Sequence, residues 1–236
     1  MTFDPFGDFE SRGYLRNSLG EKDMDVVKNA EHIAFRSTVG KALDDLAGKK
    51  DLAYSDILQT HKTLFSRIYP WAGEDRSVNA AGLDISKGGV TGMFAYPHQI
   101  ERAAEFALRQ GNDPAFMRAK PGEVMGNLAH SHPFLDGNGR TILTVHSQLA
   151  HKAGISIDWK STDKAAYLSA LTHELHQPGA GHLDNYLKPY VQAAVDRQEQ
   201  LATLLGLKGL GPGSQMAAMP ASSETTTDKD THKQKL

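Results

Sequence analysis

Apolar positions recur at helical spacing along most of this chain. Between Met24 and Leu46, the residues Val26, Val27, Ala30, Ile33, Ala34 and Leu43 paint one stripe, which predicts an amphipathic helix. Leu52 to Ile68 repeats the pattern through Ile57, Leu58, His61 and Leu64. The same spacing predicts helices over Pro97–Leu108, Pro121–Ser131, Asn138–Ala153, Thr162–His176 and Leu183–Leu205. Ser161 or Thr162 is the expected N-cap of the sixth of these, and Asp184 that of the seventh. The pattern breaks between Arg76 and Tyr96, where Gly82, Gly88, Gly89 and Gly92 crowd a stretch poor in helix formers. Two short strands around a turn are expected there. Beyond Gly206 the chain turns to Gly, Pro, Ser and Thr, and from Gly211 it has no apolar residues able to form a core. The expected organisation is an N-terminal extension over 1–23, an all-α domain with a short β-hairpin over 24–205, and a disordered tail over 206–236.

Composition narrows the classes. A chain of 236 residues can bury one sizeable core, and its 39% apolar and 23% charged content is that of a globular protein. Lys and Arg total 26 against 28 acids, with no basic cluster, so a nucleic-acid partner is not expected. Without cysteine there are neither disulfides nor thiolate metal sites. No apolar run approaches the ~20 residues that span a bilayer, and the polar start MTFDPFGDFE is not a signal peptide. A cytoplasmic protein with no membrane partner is the expectation, with delivery into another cell left open.

One stretch concentrates chemistry: His132-Pro-Phe-Leu-Asp-Gly-Asn-Gly-Arg140. Singly, each residue has an ordinary reading. A histidine in a helical protein is usually structural, Asp before Gly is a turn, and an arginine is a solvated charge. Together they differ. Gly137 and Gly139 let backbone pass close to a ligand just where a helix with an apolar face of Ile142, Val145 and Leu149 begins. The free N–H groups and positive dipole end of such a helix suit a polyphosphate. Asp136 is placed to hold Mg2+, which takes one or two carboxylates plus phosphate oxygens. His132 is close enough in sequence to share a pocket with it as a base, and Phe134 between them is expected to point inward and pin the loop.

HPFLDGNGR resembles the signature of the Fic family, His-Pro-Phe-x-(Asp or Glu)-Gly-Asn-Gly-Arg-x-x-Arg. IYPWAGEDR (Ile68 to Arg76) resembles the family's lead into its substrate flap, and DISKGG (Asp84 to Gly89) with MFAYPHQI resembles the flap and the helix after it. The likeness runs from about Met24 to Val195 and implies an all-α Fic-type fold. It also implies transfer of a nucleotide monophosphate, usually AMP from ATP with Mg2+, to a Ser, Thr or Tyr hydroxyl of a target protein. On that resemblance His132 is the general base and Asp136 holds Mg2+. Gly137, Asn138 and Gly139 stabilise the transferring group, and Arg140 grips the β-phosphate side. Ile85 and Lys87 in the flap align the target segment by strand addition, and Tyr167 borders the base pocket.

The chain departs from the signature at one position, where Leu143 stands in place of the second arginine. In the family that arginine contacts the γ-phosphate and pairs with an inhibitory glutamate. The death-on-curing branch also lacks it and transfers a γ-phosphoryl group as a protein kinase, but has Ala-Asn-Lys where this chain keeps Gly-Asn-Gly. A protein kinase and an inactive nucleotide-binding regulator are therefore the alternatives. The self-inhibitory motif (Ser or Thr)-x-x-x-Glu-(Gly or Asn) is absent, because no glutamate has Ser or Thr four residues earlier. Any regulator then falls to a separate antitoxin protein. The histidines in HELHQPGAGH are three apart at His173 and His176, not the four a zinc-protease helix needs, so a polar helix end is expected. His130 is read as structural and Trp71 as a core anchor.

Overall fold

A computed structural model describes residues 3–83, 85 and 92–207, and helices dominate it as the apolar spacing predicts. The short α1 (Phe9–Arg12) precedes the long α2 (Met24–Ala47) and α3 (Tyr54–Phe65). A single turn, α4 (Arg76–Asn79), leads to α5 (Ile100–Asn112) and α6 (Pro114–Ala119). Then come α7 (Pro121–Ser131), α8 (Asn138–Lys152), α9 (Lys164–His176), α10 (His182–Leu187) and α11 (Arg197–Leu205). No described helix is long and apolar enough to cross a membrane.

The pair α7 and α8 organises the rest. Helix α7 lies against α5, α9 and α10, while α8 lies against α2 and α3. Their shared core buries Phe35 and Leu43 of α2, Ile57, Leu64 and Phe65 of α3, Ile100 and Leu108 of α5, and Met125 of α7. Each such side chain removed from water contributes roughly 1.5–3 kcal/mol. Close approach of α10 to α7 depends on Gly122, where a Cβ would sit 2.2 Å from the Asp184 backbone nitrogen.

Several local expectations are corrected. Leu183–Leu205 is not one helix: α10 stops at Leu187, and after a 3-10 turn at Lys188–Tyr190 the chain forms strand β2 (Val191–Ala193). Pro189 cannot donate a helical hydrogen bond, and β-branched Val191 pairs instead with strand β1 (Ile155–Ile157), antiparallel, Ile157 opposite Val191. Arg76–Asn79, expected as part of a strand, is helical because the Asp75 carboxylate caps it by accepting the Ser77 N–H at 2.8 Å. Of the rest of the expected hairpin, residues 80–83, 85 and 92–96 form turns and irregular backbone and no strand, while 84 and 86–91 lie outside the described residues, as does the expected tail beyond 207. The cap of α9 is Asp163, not Ser161 or Thr162. Asp184 lies inside α10 and caps α7 from outside, accepting Gly122 N–H at 2.6 Å. Residues 3–23 of the N-terminal extension pack on the helices that follow: Trp71 Nε1 donates to Leu15 O at 2.8 Å, Ser18 N–H donates to Ile68 O at 2.7 Å, and Phe6 packs on Trp71.

Candidate active site

The turn between α7 and α8 carries the residues singled out by sequence, and three supports shape it. The first holds His132. This residue ends α7 in the left-handed region, φ 37° and ψ 59°, a conformation costing an L-residue about 1–2 kcal/mol. The fully buried Arg76 stabilises it. Its Nε donates to His132 O at 2.8 Å, its Nη2 to Ala95 O at 2.7 Å, and its backbone N–H to Pro133 O at 2.8 Å. His130 ties the segment before α5 to the same place, donating from Nδ1 to Met93 O at 2.9 Å and accepting Ala95 N–H at 2.8 Å. Phe94, between those anchors, stacks on the His132 ring with centroids 4.0 Å apart. The imidazole is thus aimed by its neighbours while remaining half-buried.

The second support sits beneath the loop. Phe134 is wholly buried and stacks on His61, centroids 3.7 Å apart. The His61 Nδ1 accepts Gly73 N–H at 3.0 Å, which leaves the proton on Nε2 to be donated to Asp136 O at 3.1 Å. Burial pushes the His61 pKa down to about 3, so the ring is a neutral strut with a fixed tautomer. Asn138 closes the loop on itself, its Oδ1 accepting Phe134 N–H at 2.8 Å and its Nδ2 donating to Phe134 O at 2.6 Å. Gly137, at φ 77°, has no room for a side chain: a Cβ would lie 2.7 Å from Phe65 and 3.1 Å from His61. Helix α8 then starts with no side-chain cap, so the first-turn N–H groups of Asn138, Gly139 and Arg140 lack intrahelical acceptors.

The third support is a chain of alternating charges. The Lys28 ammonium is shared between Asp136 Oδ2 and Glu31 Oε2, the latter at 3.2 Å. Glu31, wholly buried, also accepts from Arg140 Nη2 at 2.8 Å and from the Tyr69 hydroxyl at 2.6 Å. The Arg140 guanidinium lies 4.7 Å over the Phe65 ring, and its Nη1 is buried without a hydrogen-bond partner. Burial alone would raise the Asp136 pKa, but the Lys28 and Arg140 cations hold it below the ordinary carboxylate value. Burial likewise opposes charge on Lys28, and the Asp136 and Glu31 carboxylates overcome it, holding its pKa above the usual lysine value.

The donor set fits magnesium of one kind only. Asp136 offers a hard carboxylate whose side chain keeps 18% of its surface open, with Gly137 N–H at 2.7 Å on Oδ1. No group of three or more metal-ligating side chains occurs among the described residues. A single carboxylate suits Mg2+ that draws its other ligands from phosphates and water.

Of the residues proposed from sequence, His132, Phe134, Asp136, Gly137, Asn138, Gly139 and Arg140 share this turn. Leu143 is buried in the core at 9% exposure. Ile85 packs on the cluster of Met93, Phe94, Ala129 and Leu175, beside the ring that backs His132, whereas Lys87 lies outside the described residues. Tyr167 of α9 stands in an aromatic row, edge-on to Trp159 at 5.6 Å and next to Tyr186 of α10. In HELHQPGAGH the Glu174 carboxylate is spent on Gly179 N–H at 2.8 Å and Leu183 N–H at 3.1 Å. Sequence reasoning missed Lys28, Glu31, Arg76 and the strut role of His61. A signal existed for Glu31: it falls four residues after Val27 and four before Phe35, on the apolar face of α2. Nothing in the spacing marked Lys28 or Arg76.

Residues 51–150 match the profile of the Fic/DOC family. The protein adenylyltransferase VbhT of Bartonella schoenbuchensis is 34% identical over 164 residues, which are 68% of this chain and 34% of VbhT. The chain thus corresponds to about a third of that relative's length. A protein of Sinorhizobium fredii named as a probable protein adenylyltransferase is 28% identical over 167 residues, 66% of this chain and 81% of its own. In fold, the chain resembles BepC, a VirB-translocated effector of Bartonella tribocorum solved with bound AMPPNP. The TM-score is 0.61 at 20% identity, covering 75% of this chain and 91% of BepC.

Proposed function

Because the chain belongs to the Fic/DOC family, we propose that it is a protein adenylyltransferase, moving AMP from ATP to a Ser, Thr or Tyr hydroxyl of another protein. The observation that carries this reading is the turn itself. A histidine is locked in a left-handed cap by buried Arg76, four residues before a carboxylate and against an uncapped helix start. His132 takes the proton of the target hydroxyl as its oxygen bonds to the α-phosphorus, and the bond to the pyrophosphate oxygen breaks. The first-turn N–H groups of α8 receive the negative charge of the transferring group. Asp136 would hold magnesium together with the phosphates, and the metal would supply charge that neutralises the departing pyrophosphate. Asn138 acts through the loop, since both of its side-chain polar atoms are engaged with Phe134. Arg140 offers phosphate its unpartnered Nη1 while Nη2 stays on Glu31.

A second reading, γ-phosphoryl transfer, rests on Leu143, which places an apolar core side chain where the signature has its second arginine. Gly-Asn-Gly, retained at Gly137 to Gly139, favours the first. Regulation by a separate protein remains part of the proposal, since the sequence carries no self-inhibitory motif. On this reading the reaction is proposed to take place in a cytoplasm, its own cell's or another's. Mass spectrometry of a lysate treated with the protein and ATP tests the reading. Proteins gaining the mass of an adenylate group, and none when His132→Ala is used, support it; phosphate-only mass gains select the kinase reading.

A further inference from the structure

Resting on the nucleotide-transfer reading, we propose that Lys28 is a resident counter-ion of Asp136 that keeps free divalent cations out, so that the metal enters only together with the nucleotide's phosphates. The buried network holds two cations, Lys28 and Arg140, and two carboxylates, Glu31 and Asp136, so its charge is balanced before any metal arrives. A bare divalent ion at Asp136 would have to displace the ammonium or sit beside it, leaving excess positive charge in a low-dielectric place. A metal–triphosphate complex still carries net negative charge and meets no such opposition.

The lysine is built to let go. Its ammonium already contacts Glu31 Oε2 at 3.2 Å, so a small shift from Asp136 leaves it paired rather than stranded. Its side chain is only 15% exposed, and it lies 5.8 Å from the Tyr14 ring, which confines that shift to the two carboxylates. The Asp136 backbone does not move with it, because His61 holds the carbonyl from below. Lys28 is in this account a positioning residue that sets which form of the metal the site accepts.

The test uses free Mn2+ as the probe, followed by the loss of its solution paramagnetic resonance signal on titration with the full chain. Wild-type protein binds free Mn2+ weakly and Mn2+ with AMPPNP well. Lys28→Gln binds free Mn2+ at least about tenfold more tightly, the least expected from removing a unit charge within ~5 Å of the ion. Lys28→Arg keeps the weak wild-type affinity, and the gain vanishes in Lys28→Gln/Asp136→Asn. Lys28→Met, whose unbranched chain fills the same space, serves if Lys28→Gln does not fold by circular dichroism. Equal free-Mn2+ affinity of wild type and the neutral variants, weak or tight, overturns the inference. Absence of Mn2+–AMPPNP binding by wild type overturns the nucleotide reading instead, so the two failures are distinguishable.

Discussion

Glu31→Gln is the perturbation that most sharply probes how the site is supported. The carboxylate is wholly buried and takes Arg140 at 2.8 Å, Tyr69 at 2.6 Å and Lys28 at 3.2 Å. The amide keeps the shape and one acceptor oxygen but removes the charge, leaving two buried cations against Asp136 alone. Removing one partner of a buried pair costs about 3–5 kcal/mol, because the remaining charge cannot be solvated. For a domain of this size each kcal/mol lowers the melting temperature by ~2–4 °C, giving a drop of roughly 6–20 °C. Urea unfolding followed by the fluorescence of Trp71 and Trp159 measures it, both side chains being buried. Adding Lys28→Gln to Glu31→Gln restores charge balance, so the double variant loses less than the sum of the single losses. A single-variant loss under ~1 kcal/mol would refute the reasoning, since it would mean the network is solvated and Arg140 is not committed to Glu31.

Three further outcomes follow from the same geometry. Gly137→Ala destabilises by about 2–4 kcal/mol, from the positive φ and the 2.7 Å approach to Phe65; an unchanged urea midpoint contradicts this. Asn138→Ala leaves Phe134 N–H and O unpaired beneath the loop and costs about 2–5 kcal/mol; calorimetric melting checks it. Burial holds the His61 pKa down to about 3 and the His146 pKa down to about 4, while the unfolded chain protonates its histidines near ~6.5. Their stabilisation is therefore complete above that pH and is lost on acidification toward the folded values, by up to ~1.4 kcal/mol per pH unit for each. Urea midpoints flat between pH 7 and pH 5 would exclude it.

The fold was largely legible because burial of one helical face imposes a spacing that survives in the sequence: α7 runs over Pro121–Ser131 as the apolar pattern predicts. Where tertiary pairing overrides local preference the pattern misleads, as at Val191, drawn into a strand by Ile157. The turn at 132–140 was legible because its residues are contiguous. Its supports were not, because they come from distant elements. Lys28 reaches Asp136 across 108 positions of sequence, and Arg76 reaches His132 across 56. Charged residues on a helix read as solvated until a partner is seen; Glu31, on an apolar face, carried a signal in its spacing, but it too was missed.

The central claim is most directly tested by the position of the label that reaches protein. With ATP labelled at the α-phosphorus, wild-type protein is expected to label target proteins. His132→Ala should reduce that transfer by at least about 10²-fold, within the range for loss of a general base, while melting normally. Protein label arising solely from γ-labelled ATP, or α-label transferred equally well by His132→Ala, would contradict the account.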